Sequence, residues 1–141
     1  MYSTPDELKL LLSEKELVQL ASDGRVGLWL DPAVQAVLNE AIDQADSEID
    51  GYLSLVVELP LNLPPRLVGN LSAKIAVYNL LRRRPTVPDH WQSEYQRCRD
   101  LLLRIAEGKL KLPVEEDGGS GLVDDALDPG RIVVVTRDKE W

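Results

Sequence analysis

Asp31-Pro-Ala-Val-Gln-Ala-Val-Leu-Asn-Glu40, continuing as Ala41-Ile-Asp-Gln-Ala-Asp-Ser-Glu-Ile-Asp50 and Gly51-Tyr-Leu-Ser-Leu-Val-Val57, is the stretch that decides the fold class. Its apolar residues Val34, Val37, Leu38, Ala41, Ile42, Ala45, Ile49, Tyr52, Leu53 and Val56 recur at steps of three and four. That is the period of one face of an α-helix, where a half-buried strand would alternate residue by residue. Asp31 followed by Pro32 is a helix-start signal, because proline at the first helical position gives up no hydrogen bond. A helix over 32–57 would run about 39 Å. Gly51 should weaken it locally, and Pro60, Pro64 and Pro65 force an extended connection after it.

The same signals repeat on either side. Thr4-Pro5-Asp6-Glu7 and Ser13-Glu14-Lys15-Glu16 each place a hydroxyl three residues before a glutamate, the arrangement of a capping box. They predict short helices over 5–12 and 14–22, a turn at Asp23-Gly24 and a connector over 24–30 that holds Trp29. A fourth helix over 65–83 carries Leu67, Leu71, Ile75, Tyr78, Leu80 and Leu81. A fifth over 88–107 carries Trp91, Tyr95, Cys98, Leu102 and Ile105, and Gly108 stops it. The expected architecture is all-α, a five-helix domain over 1–112 with two long antiparallel-packed helices and a further C-terminal one. Ile42, Ile49, Leu71, Ile75, Trp91, Tyr95, Cys98 and Leu102 are its expected core.

Beyond Pro113 the composition shifts. Residues 113–130 hold Glu115, Glu116, Asp117, Asp124, Asp125 and Asp128 with no basic side chain, around Gly118-Gly119-Ser120-Gly121. This reads as a flexible acidic linker. The chain then closes on a β-branched run, Arg131-Ile132-Val133-Val134-Val135-Thr136, and on Trp141, a C-terminal β-forming arm over 131–141. Two partners suit such a run: Leu110-Lys-Leu112 of the same chain, or the sheet edge of a neighbouring subunit.

Composition narrows the function. Of 141 residues, 16 are Lys or Arg and 24 are Asp or Glu, a net charge of −8, which argues against a protein that coats nucleic acid by phosphate neutralisation. One cysteine excludes an internal disulfide and any zinc site built on several thiolates. No window reaches the length of a membrane span, and the N-terminus lacks the pattern of a secretion signal, so a cytosol-made protein with no membrane partner is expected.

The candidates for chemistry are few. Asp43, Asp46, Glu48 and Asp50 cluster on the long helix, and Asp46-x-Glu48-x-Asp50-Gly51 imitates the opening of a calcium loop. The twelfth position is Val57 rather than the bidentate Glu such a loop requires, so the expected reading is a solvated face. His90 is the single histidine and is expected at the surface. Cys98 lies eight residues away on the same helix, too far to form a catalytic pair. Arg82, Arg83 and Arg84 suit either phosphate contact or compensation of the helix C-terminus together with ion pairs. There is no phosphate loop and no dinucleotide fingerprint. The expectation is no enzyme, no metal and no cofactor, with the arm residues Arg131, Ile132, Val133, Val134, Val135 and Trp141 and the three arginines as interface candidates.

Asp46-Ser-Glu-Ile-Asp-Gly-Tyr-Leu53, Leu59-Pro60 with Pro64-Pro65, Ala76-Val-Tyr-Asn-Leu80 running into Arg83-Arg84-Pro85, and Tyr2-Ser-Thr-Pro-Asp-Glu-Leu8 resemble, in this order, the Mu-like phage structural protein family. The resemblance covers about residues 2–112 and departs at Val57-Glu58, where relatives often have Arg-Tyr. It implies a protein similar to the head–tail connectors, or adaptors, of tailed phages. Such proteins are helical and form a ring, dodecameric in the virion neck. They sit between the portal and the tail-completion proteins, with DNA only as passing cargo. The reading from a different class is a small acidic interaction module or regulator that forms no ring. A Mg²⁺ enzyme built on Asp43, Asp46 and Asp50 lacks converging ligands.

Overall fold

The long helix forms as its periodicity predicts, and the rest of the chain is arranged around it. In the computed structural model, which describes residues 1–23, 26–59, 61 and 64–112, the elements are α1 (Pro5–Leu8), α2 (Glu14–Ser22), α3 (Pro32–Leu53), α4 (Arg66–Leu81) and α5 (Asp89–Ala106). All five are helices, and no strand occurs among the described residues. The linker and arm expected over 113–141, and any pairing of the arm with Leu110-Lys-Leu112, lie outside the described residues.

Both capping boxes form as their spacing predicts. The Thr4 side chain accepts from the Glu7 backbone N–H while Glu7 accepts from that of Thr4, and Ser13 and Glu16 do the same. The second box is why α1 is only four residues long: residues 9–12 wind down in tight turns before Ser13 starts the next helix. Asp31 does not cap α3 with its side chain. It turns back to accept the Leu28 N–H at 2.9 Å and thereby closes the 28–31 turn. At the far end α3 stops at Leu53 rather than 57, and residues 54–57 complete it in shorter turns.

The pairing of helices can be read from individual contacts. Ser72 of α4 donates to Asp46 of α3, and Asn79 donates to the Ala41 carbonyl. Rising numbers on one helix thus meet falling numbers on the other, so α3 and α4 are antiparallel. Tyr95 of α5 donates to Glu48 at 2.8 Å, and Arg99 reaches Tyr52, so α5 runs parallel to α3. α1 and α2 cover the α3–α4 pair.

α4 is the most enclosed element. Val68, Leu71, Ser72, Ala73, Ile75, Ala76, Val77 and Leu80 are all buried, a set that goes well round the helix. Its small residues let four neighbours approach, whereas the sequence suggested a single apolar side through Leu67, Tyr78 and Leu81, which end up half-buried. Ile42, Ile49, Leu71, Ile75, Trp91, Cys98 and Leu102 belong to one contiguous core, with Tyr95 half-buried against it. Burial pushes the Cys98 thiol up to about 11, which makes it an inert packing group.

Candidate functional site

The acidic residues that looked most like a catalytic cluster are structural ties. Asp46 accepts the Tyr2 backbone N–H at 3.0 Å and the Ser72 hydroxyl at 2.6 Å, and Ser72 in turn meets Ser3 at 2.6 Å. Asp50 accepts the Tyr2 phenol, and Glu48 accepts the Tyr95 phenol. Burial and these carboxylates raise both phenols, Tyr95 to about 12. The solvated-face reading therefore holds for exposed Asp43 and fails for Asp46, Glu48 and Asp50, which are half-buried. These carboxylates flank the apolar stripe closely enough for the N-terminal segment and α5 to close over them, a tertiary event that periodicity does not encode. No group of three His, Cys, Asp or Glu side chains is placed to hold a metal among the described residues.

The arginines divide. Arg82 is the C-cap of α4, and Arg83 and Arg84 follow it. Arg83 instead reaches across to α2, donating to the Leu20 carbonyl and pairing with Asp23 at 2.7 Å. Asp23 is the C-cap of α2 in the left-handed conformation, φ 55°, so one guanidinium holds both the Leu20 carbonyl in the last turn of α2 and the side chain of its cap. Arg82 lies over the Tyr78 ring, which stacks face to face on Tyr95 at 4.1 Å. Arg84 is exposed and lines a groove of about 680 Å³ together with Glu14, Lys15, Val18, Gln19, Ser22 and residues 26–29. His90 is exposed beside Trp91.

That groove contains the feature the sequence did not single out. Along the connector, Val26, Leu28 and Leu30 are exposed by 99, 69 and 83%, while Gly27 and Trp29 between them turn inward. The three exposed side chains sit on an irregular connector that runs into the 28–31 turn, with their apolar surface toward solvent. The inward residues anchor it. A Cβ on Gly27 would stand 3.1 Å from Ser22 Cβ and 3.3 Å from Val34, a tight fit that glycine avoids where the connector lies against α2 and α3. Trp29 is covered by the Lys9 ammonium at 4.6 Å, and its carbonyl accepts from Gln35 at 2.7 Å. The backbone N–H groups of Val26 and Gly27 meet no acceptor among the described residues. Three large apolar side chains on an anchored connector form a contiguous exposed apolar patch of the kind that marks interaction sites. Leu55, 70% exposed, marks a separate apolar point at the other end of α3.

A family model described as bacteriophage Mu, Gp36 matches residues 2–122. No curated protein matches the chain closely enough to count as a relative.

Proposed function

The chain belongs to the bacteriophage Mu Gp36 family, and from that premise we propose that this phage protein is a non-catalytic structural component of the virion neck. In this reading it is a head–tail connector that assembles with copies of itself into a ring between the portal and the tail-completion proteins. The observation that carries this is the 26–30 connector: three apolar side chains exposed by 69 to 99% on a segment locked from beneath. A monomer that worked alone would gain nothing from holding such a strip in water, whereas a subunit that meets neighbours buries it. The polar groups inside the domain are spent on holding helices together rather than on converging toward a substrate. A net charge of −8 suits a channel wall that DNA passes without adhering. No described helix is long and apolar enough to cross a membrane.

A rotationally closed ring uses head-to-tail contacts, in which different surfaces of two copies meet. Native mass spectrometry of the full-length protein, alone and with purified portal, tests the proposal. One closed stoichiometry, with the protein found at the neck of virions by immuno-electron microscopy, is the expected result. A monomer or simple dimer that portal does not change, in virions lacking the protein, would point to the acidic interaction module instead.

A further inference from the structure

We infer that the 26–30 strip of one copy seats against the opposite end of a second copy, on a patch made by Leu55, Leu103 and Leu110. The inference deepens the assembly reading and rests on it. Apart from Met1 and Leu10, the large apolar side chains left exposed among the described residues fall into two groups. Val26, Leu28 and Leu30 precede α3, and Leu55, Leu103 and Leu110 gather at its far end. Each group is an apolar surface that a partner can cover, and each has the chemistry the other needs.

Helix register places the second group. Tyr95 donates to Glu48 and Arg99 bonds Tyr52, so an α5 residue lies level with the α3 residue 47 positions before it. One turn further on, Leu103 falls level with Val56, next to Leu55. Leu110 folds back on the end of α5, its N–H donating to the Arg104 carbonyl. At the other end, Gly27 lies against Val34 in the first turn of α3. The 22 residues of α3 hold the two groups about 33 Å apart. Strip and patch cannot meet within one copy, so the partner is a second copy and the contact joins unlike surfaces, head to tail.

Charge separates this arrangement from one in which two strips face each other. Lys15 and Arg84 line the groove beside the strip, exposed and without a carboxylate partner among the described residues. Strip on strip would set these cations against their own counterparts and leave the three leucines in water. Glu58, three residues past Leu55, is exposed and has no cation partner among the described residues. Head-to-tail contact brings that carboxylate toward the basic rim and covers both apolar groups at once.

Complementation in the full-length protein tests this. One variant blocks the strip, Val26→Glu with Leu30→Glu, and the other blocks the patch, Leu55→Glu with Leu103→Glu, all at exposed positions. Native mass spectrometry reads them under the condition, with or without purified portal, in which wild-type chains assemble. Neither variant should associate with itself. Their equimolar mixture should give a mixed dimer and nothing larger, because one intact strip meets one intact patch. Leu28→Cys chains mixed with Leu55→Cys chains leave both surfaces nearly undisturbed and should form a disulfide between unlike chains, whereas wild-type chains, whose single Cys98 is buried, form none. Either the mixed dimer or the disulfide supports the contact. A patch variant that assembles like wild type would overturn the inference while leaving the assembly reading intact. So would mixtures that stay monomeric and unlinked where wild type assembles. Wild-type chains that associate in neither condition would overturn both.

Discussion

Replacing Asp46 by alanine separates a tie that holds the fold from a carboxylate that merely sits on a wet face. Asp46 is half-buried and takes two donors, the Tyr2 N–H at 3.0 Å and the Ser72 hydroxyl at 2.6 Å. Hydrogen bonds to a charged group contribute about 1.5–3 kcal/mol each. With the lower figure for each at a half-buried site, Asp46→Ala should cost about 3 kcal/mol. The Ser72 hydroxyl, fully buried, would retain only Ser3 as a partner. In urea, with a slope of roughly 1.5–2 kcal/mol/M, the midpoint should fall by about 1.5–2 M at unchanged slope. Asp46→Asn keeps an acceptor but loses the charge, and should cost about half as much. Ser72→Ala should be strongly coupled to Asp46→Ala, with an interaction of about 1–2 kcal/mol in a double-mutant cycle. Hydrogen exchange at the Tyr2 and Ser3 amides should accelerate in Asp46→Ala, because the N-terminal segment loses its anchor on α3. An Asp46→Ala protein within about 0.5 kcal/mol of wild type, the usual range for a surface substitution, would refute the reasoning.

Three further outcomes are expected. Gly51→Ala should stabilise by about 0.5–1 kcal/mol, since Gly51 is an exposed residue inside α3 with nothing within 4 Å of an added Cβ; thermal melting checks it. Ile49→Ala and Leu102→Ala, both at fully buried positions, should each cost about 2–5 kcal/mol in chemical denaturation, and losses under about 0.5 kcal/mol at both would mean the core is elsewhere. Alkali should destabilise the fold: the folded state keeps the Cys98 proton to about 11 and the Tyr95 proton to about 12, where the unfolded chain releases them near 9.0 and 10.0. Stability from these groups is complete below the unfolded values and is lost as pH rises through the folded ones. Tyr95→Phe should flatten that decline in a series of urea midpoints.

The helices were legible because each was specified locally. The i, i+3, i+4 recurrence on α3, the Thr4–Glu7 and Ser13–Glu16 boxes, and the Gly108 stop, which takes φ +81°, need no knowledge of the rest of the chain. The antiparallel α3–α4 pair also follows from two amphipathic helices joined by a proline-containing connection over residues 54–65. What sequence reasoning missed depends on which element closes over which. Asp46, Asp50 and Glu48 look like surface residues on a helical wheel until Tyr2, Ser72 and Tyr95 arrive from other elements. Arg83 looked like part of the end of its own helix, yet it secures the end of α2, sixty-odd positions earlier. A hydroxyl pair such as Ser3 and Ser72 carries no sequence signal at all.

The connector at 26–30 was hidden for a different reason. Read in sequence, Val26-Gly27-Leu28-Trp29-Leu30 is a short apolar run beside a turn, and the default for such a run is burial. The structure inverts that rule: glycine and tryptophan are half-buried while valine and two leucines face water. Steric fit forces this choice. Ser22 and Val34 leave only a tight space for a Cβ at position 27, so the backbone itself lies against α2 and α3 there. The alternating neighbours at 26 and 28 must then point outward. An apolar strip created by such a constraint persists whether or not a partner is present. Its solvent cost is the one that the assembly proposed above would relieve.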